Sequence, residues 1–126
     1  MKKTILFSAA IVAVATITLI SSCGHKNAAP VVTLDEPADA GVFTVGDTVH
    51  VEGDLTDDES LHEASILFFR AGVDTPLAEY PYVHDLKSYH FHHHVPVMNA
   101  GSYQVQVVAE DHDGESATKT VTVTVN

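Results

Sequence analysis

Apolar and polar residues alternate in short runs along most of the chain, and Gly, Pro and Asp separate the runs. Within 48–55, for example, Val49 and Val51 alternate with His50 and Glu52. A period of two indicates β-strands with one buried face. Such runs recur about every 8–12 residues with turn signals between them, and no helical period of useful length interrupts them. The pattern predicts an all-β, immunoglobulin-like, seven-stranded β-sandwich.

Several segments have predicted places in this sandwich. The uniformly apolar run 61–70 is typical of a central strand, whereas 77–83 contains Pro81 and is predicted to be an edge strand. Residues 41–45 are expected to continue the first strand after a kink. Tyr103 opens the sixth strand as a tyrosine corner does, with its phenol bonding to upstream backbone.

The first residues have the features of a secretory signal. Lys2 and Lys3 precede the apolar stretch 4–20, and small residues lead to Cys23, the single cysteine. A transmembrane anchor is the alternative, since about 18 apolar residues can span a bilayer. However, the run 19–23 resembles a bacterial lipobox, in which cleavage precedes a cysteine that carries lipid. We therefore predict a lipoprotein signal peptide (1–22), a lipidated cysteine with its tether (23–30) and one β-sandwich domain (31–126).

Lipidation at Cys23 has consequences for stability and location. The processed chain would hold no thiol, so neither disulfides nor thiolate ligands are expected and the core alone must hold the domain. The tether 24–30 lacks the acidic run that directs similar lipoproteins to the cell surface. We therefore expect an outer-membrane lipoprotein that faces the periplasm.

The charge of the chain restricts its partners. Removal of Lys2 and Lys3 leaves four basic against seventeen acidic residues, a net charge of −13, and retains all nine histidines. Such a field repels nucleic acid and concentrates cations, so no nucleic-acid partner is expected. The sequence lacks a nucleophile elbow, an HExxH motif and a Gly-rich phosphate loop, so we do not expect an enzyme.

Four histidines fall within five positions of the predicted strand 88–97. By parity, His90, His92 and His94 should face outward, about 6.5–7 Å apart along the strand. His93 has the parity of the apolar residues, which makes it either a core residue or the site of a bulge.

A neighbouring strand could complete a metal site on this face. In the immunoglobulin topology the histidine strand pairs with the second strand, which carries outward His50 and Glu52. Tetrahedral zinc holds nitrogens at about 2.0–2.1 Å, so two imidazoles at i and i+2 can share an ion but the outer two of three cannot comfortably do so. Imidazole also suits copper and nickel. The sequence predicts a zinc site, with copper or nickel as alternatives, built from His90, His92, His94, His50 and Glu52.

The remaining polar clusters have ordinary explanations. Acidic runs at 57–59 and 110–113 should lie at one end of the sandwich, where oxygen ligands could hold calcium. Asp-x-Asp-Gly is common turn chemistry and the spacing does not match an EF-hand, so calcium is not expected. Taken singly, His25, His62, His84 and His112 are expected to be polar surface residues.

The segments 48–51, 55–61, 90–94, 101–103 and 110–116 together resemble a family of histidine-rich, immunoglobulin-like lipoproteins of the Bacteroidota, catalogued as a domain of unknown function. The HxHHH strand is the most specific part of the resemblance, which covers nearly the whole processed chain. It implies an exported β-sandwich and assigns no activity.

This chain also departs from the family pattern. Members carry further histidines late in the third strand and in the connection after it, where this chain has none in 67–75. A site here must therefore rely on the face of the second and fifth strands, with His84 or His62 as additional candidates.

Two other functions remain open from the sequence. The histidine face could pack against an outer-membrane protein partner, which would make the domain an adhesion or scaffold module. A histidine could instead be an axial ligand of haem. A shallow metal site on an open sheet favours uptake, buffering or delivery over catalysis.

Overall fold

A computed structural model describes residues 27–126, so the predicted signal peptide, Cys23 and His25 lie outside the described residues. The described strands are β1 (Val31–Glu36), β2 (Val42–Phe43), β3 (Thr48–Thr56), β4 (Leu61–Arg70), β5 (Asp74–Glu79), β6 (Ser88–Pro96), β7 (Gly101–Asp111) and β8 (Ser116–Val125). They form a three-stranded sheet, β1-β3-β6, and a five-stranded sheet, β2-β8-β7-β4-β5. The predicted all-β sandwich is confirmed. The part described contains no helix long and apolar enough to cross a membrane.

The strand count differs from the predicted seven because β2 is a separate element. It pairs in parallel with β8, with Val42 opposite Thr124, and therefore belongs to the other sheet from β1. The prediction that 41–45 continues the first strand is wrong. The edge of β8 offers unpaired backbone groups, and Thr124 N donates to Gly41 O at 2.9 Å while Asn126 N donates to Phe43 O at 2.9 Å.

One of the two edge strands of the five-stranded sheet is β5, and the other is β2. Strand β5 covers 74–79 rather than the predicted 77–83, and it pairs with β4. Pro81 lies outside it, but Pro76 lies within it, at the irregularity of the pairing with β4, where a missing backbone donor is tolerated. The central position of β4, between β7 and β5, is confirmed.

Apolar side chains from both sheets fill the space between them. The phenol ring of Tyr103 stacks on Phe68 at a centroid distance of 4.9 Å, and its hydroxyl donates to the carbonyl of Asn99 at 2.8 Å. This confirms the predicted tyrosine corner. The buried core consists of Val49, Val51, Leu55, Leu61, Ile66, Phe68, Val83, Phe91, Val95, Val97, Tyr103, Val105, Val107, Ala109, Val121, Val123 and Val125.

The pairing of β3 with β6 decides which histidines can meet. The two strands are antiparallel and in register without a bulge, with His50 opposite His94 and Glu52 opposite His92. The predicted pairing of the second strand with the histidine strand is therefore confirmed.

Candidate metal centre on the β3–β6 face

The two faces of β6 differ sharply in burial. Phe91 and Val95 are buried in the core, whereas His90, His92 and His94 are exposed. The predicted outward parity of these three histidines is confirmed. Because β3 presents its polar parity on the same side, the outer face of this strand pair is a continuous polar surface.

Three imidazoles converge on this face. Nε2 of His92 lies 3.2 Å from Nδ1 of His50 and 3.1 Å from Nε2 of His94. One nitrogen of each ring lies within 4.8 Å of the other two. Ligand nitrogens of tetrahedral zinc are a little over 3 Å apart, at about 2.0–2.1 Å from the ion. The three rings are therefore close to the spacing that one metal ion requires.

Hydrogen bonding alone satisfies this arrangement poorly. A ring nitrogen carries either one hydrogen or one in-plane lone pair. Nε2 of His92 therefore cannot make two full hydrogen bonds to His50 and His94 at once. A cation between the rings would instead use one lone pair from each of them.

Carboxylates surround the three histidines. Oε2 of Glu36 lies 3.9 Å from Nδ1 of His50, and Oε2 of Glu52 lies 3.8 Å from Nε2 of His92. These distances leave room for a small movement that would bring Glu52 onto a bound ion as an oxygen ligand. Even without ligation, the negative charges raise the local concentration of cations.

His90 has different partners from the other two outward histidines of β6. Its Nδ1 lies 2.9 Å from Oδ1 of Asp54, and its Nε2 lies 3.3 Å from Oε1 of Glu52. The hydrogen bond to Asp54 raises the pKa of His90 above its usual 6.5, with the charges of Asp54, Glu52 and Asp35 acting in the same direction and desolvation against them. The structure does not bring His90 into the group of three nitrogens.

His93 points toward the core side of the sheet. It is half-buried and opposite Val51 in a continuous register, so no bulge occurs at this position. Its Nε2 is buried and has no hydrogen-bond partner among the described residues. The sequence left His93 as either a core residue or the site of a bulge, and the structure shows an inward-facing residue without a bulge.

The acidic runs form their own turns. Oδ1 of Asp111 accepts hydrogen bonds from the backbone of Asp113 at 2.8 Å and Glu115 at 2.9 Å. Oδ1 of Asp57 accepts from the backbone of Glu59 at 2.9 Å. These carboxylates stabilise the turns in which they lie.

No protein-family model matches the chain, and no curated protein matches it in sequence. Its fold is similar to that of the fibronectin(III)-like modules of Clostridium thermocellum CbhA, at a TM-score of 0.51 and 17% identity over 75% of this chain and 94% of that one. The comparison with CopC from Methylosinus trichosporium OB3b has a TM-score of 0.46 and 14% sequence identity, and it covers 76% of this chain and 94% of that one. The comparison with a β-glucosidase from Listeria innocua has a TM-score of 0.45 and 8% sequence identity, and it covers 77% of this chain and 16% of that one. At this identity the CbhA similarity establishes a fibronectin-like sandwich and nothing about ligands.

A second group of three histidines was not predicted from the sequence. His62, His84 and His112 each have one nitrogen within 4.8 Å of the other two. The predicted topology could have brought two of them together. His62 at the start of the third predicted strand (β4) and His112 in the turn after the sixth (β7) lie at one end of such a sandwich. The position of His84 depended on the fold of the 80–87 connection, which the sequence pattern did not indicate.

Proposed function

We propose that this protein is an exported, lipid-anchored β-sandwich that binds a divalent transition metal, zinc in the first instance, on the β3–β6 face. His50, His92 and His94 would be the ligands. Glu52 would be a fourth ligand or would orient the ring of His92. The observation that carries the proposal is the position of His92 Nε2, within 3.2 Å of a nitrogen of both other rings.

The donor set restricts the class of metal. Three imidazoles and a carboxylate suit zinc, copper and nickel better than the hard cations calcium and magnesium, which prefer oxygen ligands. All three histidines are exposed, so an ion could enter and leave without a large movement of the chain. This accessibility supports a non-enzymatic role in uptake, buffering or delivery of the metal.

A zinc titration of the full chain in mild detergent tests the metal proposal. The variant that combines His50→Ala, His92→Ala and His94→Ala should lose the high-affinity zinc binding of this face, because no lone pair remains at the centre. Cys23 and His25 are present in both proteins, so any contribution from them cancels in the comparison. Equal affinities and stoichiometries in the two proteins would refute the proposal.

The lipid anchor rests on the sequence 19–23 and has its own test. Mass spectrometry of the processed chain should find an acylated Cys23 at the N-terminus. Cys23→Ser should abolish both the cleavage and the lipid. Signal cleavage at another position, with an unmodified Cys23, would remove the anchor and leave the metal proposal untouched. The orientation toward the periplasm rests on the tether composition and would be contradicted by surface labelling of intact cells.

A further inference from the structure

The geometry points to a second metal site, formed by His62, His84 and His112 at one end of the sandwich. This inference goes beyond the proposed function, because it uses none of the residues of the β3–β6 face. The ligand class is again a divalent transition metal ion, held by three imidazoles with one position left open.

The three rings are close enough to bind one ion. Nδ1 of His62 lies 3.1 Å from Nδ1 of His84. The ring of His112 has centroid distances of 4.7 Å to His62 and 4.5 Å to His84. The nitrogen pair is at the spacing of two zinc ligands. The third ring lies beside both, tilted by 46° to His62 and edge-on to His84 at 73°.

Each ligand comes from a different segment, and the backbone fixes their relative positions. His62 is the second residue of β4, at the irregularity of its pairing with β7, and His112 directly follows β7. The connection that carries His84 is fastened to the start of β4. Leu61 N donates to Leu86 O at 2.7 Å, and Asp85 N donates to Leu61 O at 3.0 Å.

A buried residue anchors the same connection from the other side. Val83, next to His84, is only 1% exposed and belongs to the core. The backbone around His84 is therefore held by two hydrogen bonds and by core packing, although it is not in a strand. A ligand on such a segment loses little conformational entropy when it binds an ion.

Asp85 contacts two of the three rings and is hydrogen-bonded to one of them, His112. Its Oδ1 lies 3.0 Å from Nε2 of His112, and its Oδ2 lies 3.5 Å from Nε2 of His84. A carboxylate that accepts from one ring nitrogen fixes the tautomer and leaves the lone pair on the other nitrogen, a common arrangement around metal-bound histidines. The hydrogen bond between Asp85 and Nε2 of His112 has this form. The 3.5 Å contact with Nε2 of His84 is electrostatic only, and the nitrogen of His84 that faces His62 is the other one, Nδ1. Asp85 also has a positive φ of 65°, which Asp and Asn tolerate better than most residues.

The site opens onto a groove of about 600 Å³, whose lining includes His62, His84, Tyr80 and Tyr82. Three protein ligands leave a position that water or a small ligand can occupy, as in accessible zinc sites. Both sites have carboxylates beside their histidines, but the groove at this one also has two tyrosine side chains, Tyr80 and Tyr82, in its lining. The two sites should therefore differ in affinity or in preferred metal.

One ion cannot serve both groups of histidines. His92 is four residues from Ser88, the first residue of β6, which corresponds to about 13 Å of strand. His84 precedes that end of β6 in the chain, and its segment is hydrogen-bonded to the start of β4, in the other sheet. Two independent ions per chain are expected.

Zinc titration in a background without the face site tests the inference. The full chain with His50→Ala, His92→Ala and His94→Ala should still bind one zinc ion. Adding His84→Ala should weaken this remaining binding about 100-fold or more, whereas adding His90→Ala, which removes a histidine from neither group, should leave it within about threefold. If the background variant binds no zinc, or if His84→Ala has no effect, the second site is refuted.

The design separates this inference from the proposed function. If only the proposed β3–β6 site were wrong, the three face substitutions would leave zinc binding at its wild-type level. His84→Ala would still weaken that binding. Because loss of His84 could disturb the connection, Asp85→Asn provides a milder variant that keeps the backbone conformation. It should weaken zinc binding at this site about 10-fold with an unchanged circular dichroism spectrum. An unchanged zinc affinity in Asp85→Asn would refute the positioning role of Asp85.

Discussion

Replacing Gly53 with alanine is expected to destabilise the folded chain by about 3 kcal/mol, at the upper end of the usual cost of overpacking. Gly53 is a buried residue of β3, between β1 and β6. An added Cβ would lie 2.0 Å from the carbonyl oxygen of Thr33 and 2.7 Å from Cζ of Phe91. The nearer atom is backbone and cannot rotate away, so β1 itself would have to move.

Thermal unfolding in the presence of a chelator measures this effect without a contribution from bound metal. At about 4–8 °C per kcal/mol for a domain of this size, the melting temperature should fall by about 12–24 °C. Gly46→Ala is the matched control. Its added Cβ meets nothing within 4 Å, but its φ of 98° strains any other residue, so a loss of about 1 kcal/mol is expected. Equal losses in the two variants would contradict the crowding at Gly53.

Gly53 also connects the fold to the site. It lies between Glu52 and Asp54, whose side chains contact the outward histidines of β6. On the β6 side, the ring of Phe91, the residue opposite Gly53, occupies the space where a side chain would lie. The pairing that brings His50 opposite His94 is therefore closely packed at a position without a side chain. The stability of the sheet and the spacing of the ligands therefore have a common origin.

Much of this face could be predicted from alternation alone. The apolar parity of β3 and β6 determined which residues face outward, and the sandwich topology determined that the two strands are neighbours. Neither rule specifies register. His90 and His94 have the same parity and flank His92 symmetrically, and only the strand alignment decides that His94 meets His50 while His90 meets Asp54.

The second histidine group was beyond these rules for a different reason. Its members are separated by 22 and 28 positions along the chain, and none belongs to a pattern with a period. His84 reaches the others because the backbone of the 80–87 connection is bonded to Leu61. Such contacts between a loop and a strand end form only when the core is assembled, so they cannot be predicted from the pattern of the local sequence.

The register makes a sharp distinction between two histidines that the sequence treats alike. His92→Ala should weaken zinc binding at the β3–β6 face about 100-fold, because His92 Nε2 is the atom within 3.2 Å of both other rings. His90→Ala should change the affinity by less than about threefold, since His90 contacts Asp54 and Glu52 instead. Both residues are exposed on the same strand and face, so the two variants are matched in their effect on folding.

Competition with a chromophoric zinc chelator measures this difference, in a background of His62→Ala, His84→Ala and His112→Ala that leaves only the face site. If His90→Ala weakened binding as much as His92→Ala, the ion would lie nearer Glu52 and Asp54, and the five-residue site expected from parity would replace the three-histidine one. If His92→Ala lost binding and His90→Ala did not, the ion would lie on the outer face of the sheet, above the His50–His94 pair. Strand register, rather than the number of histidines, would then determine which of them bind the metal.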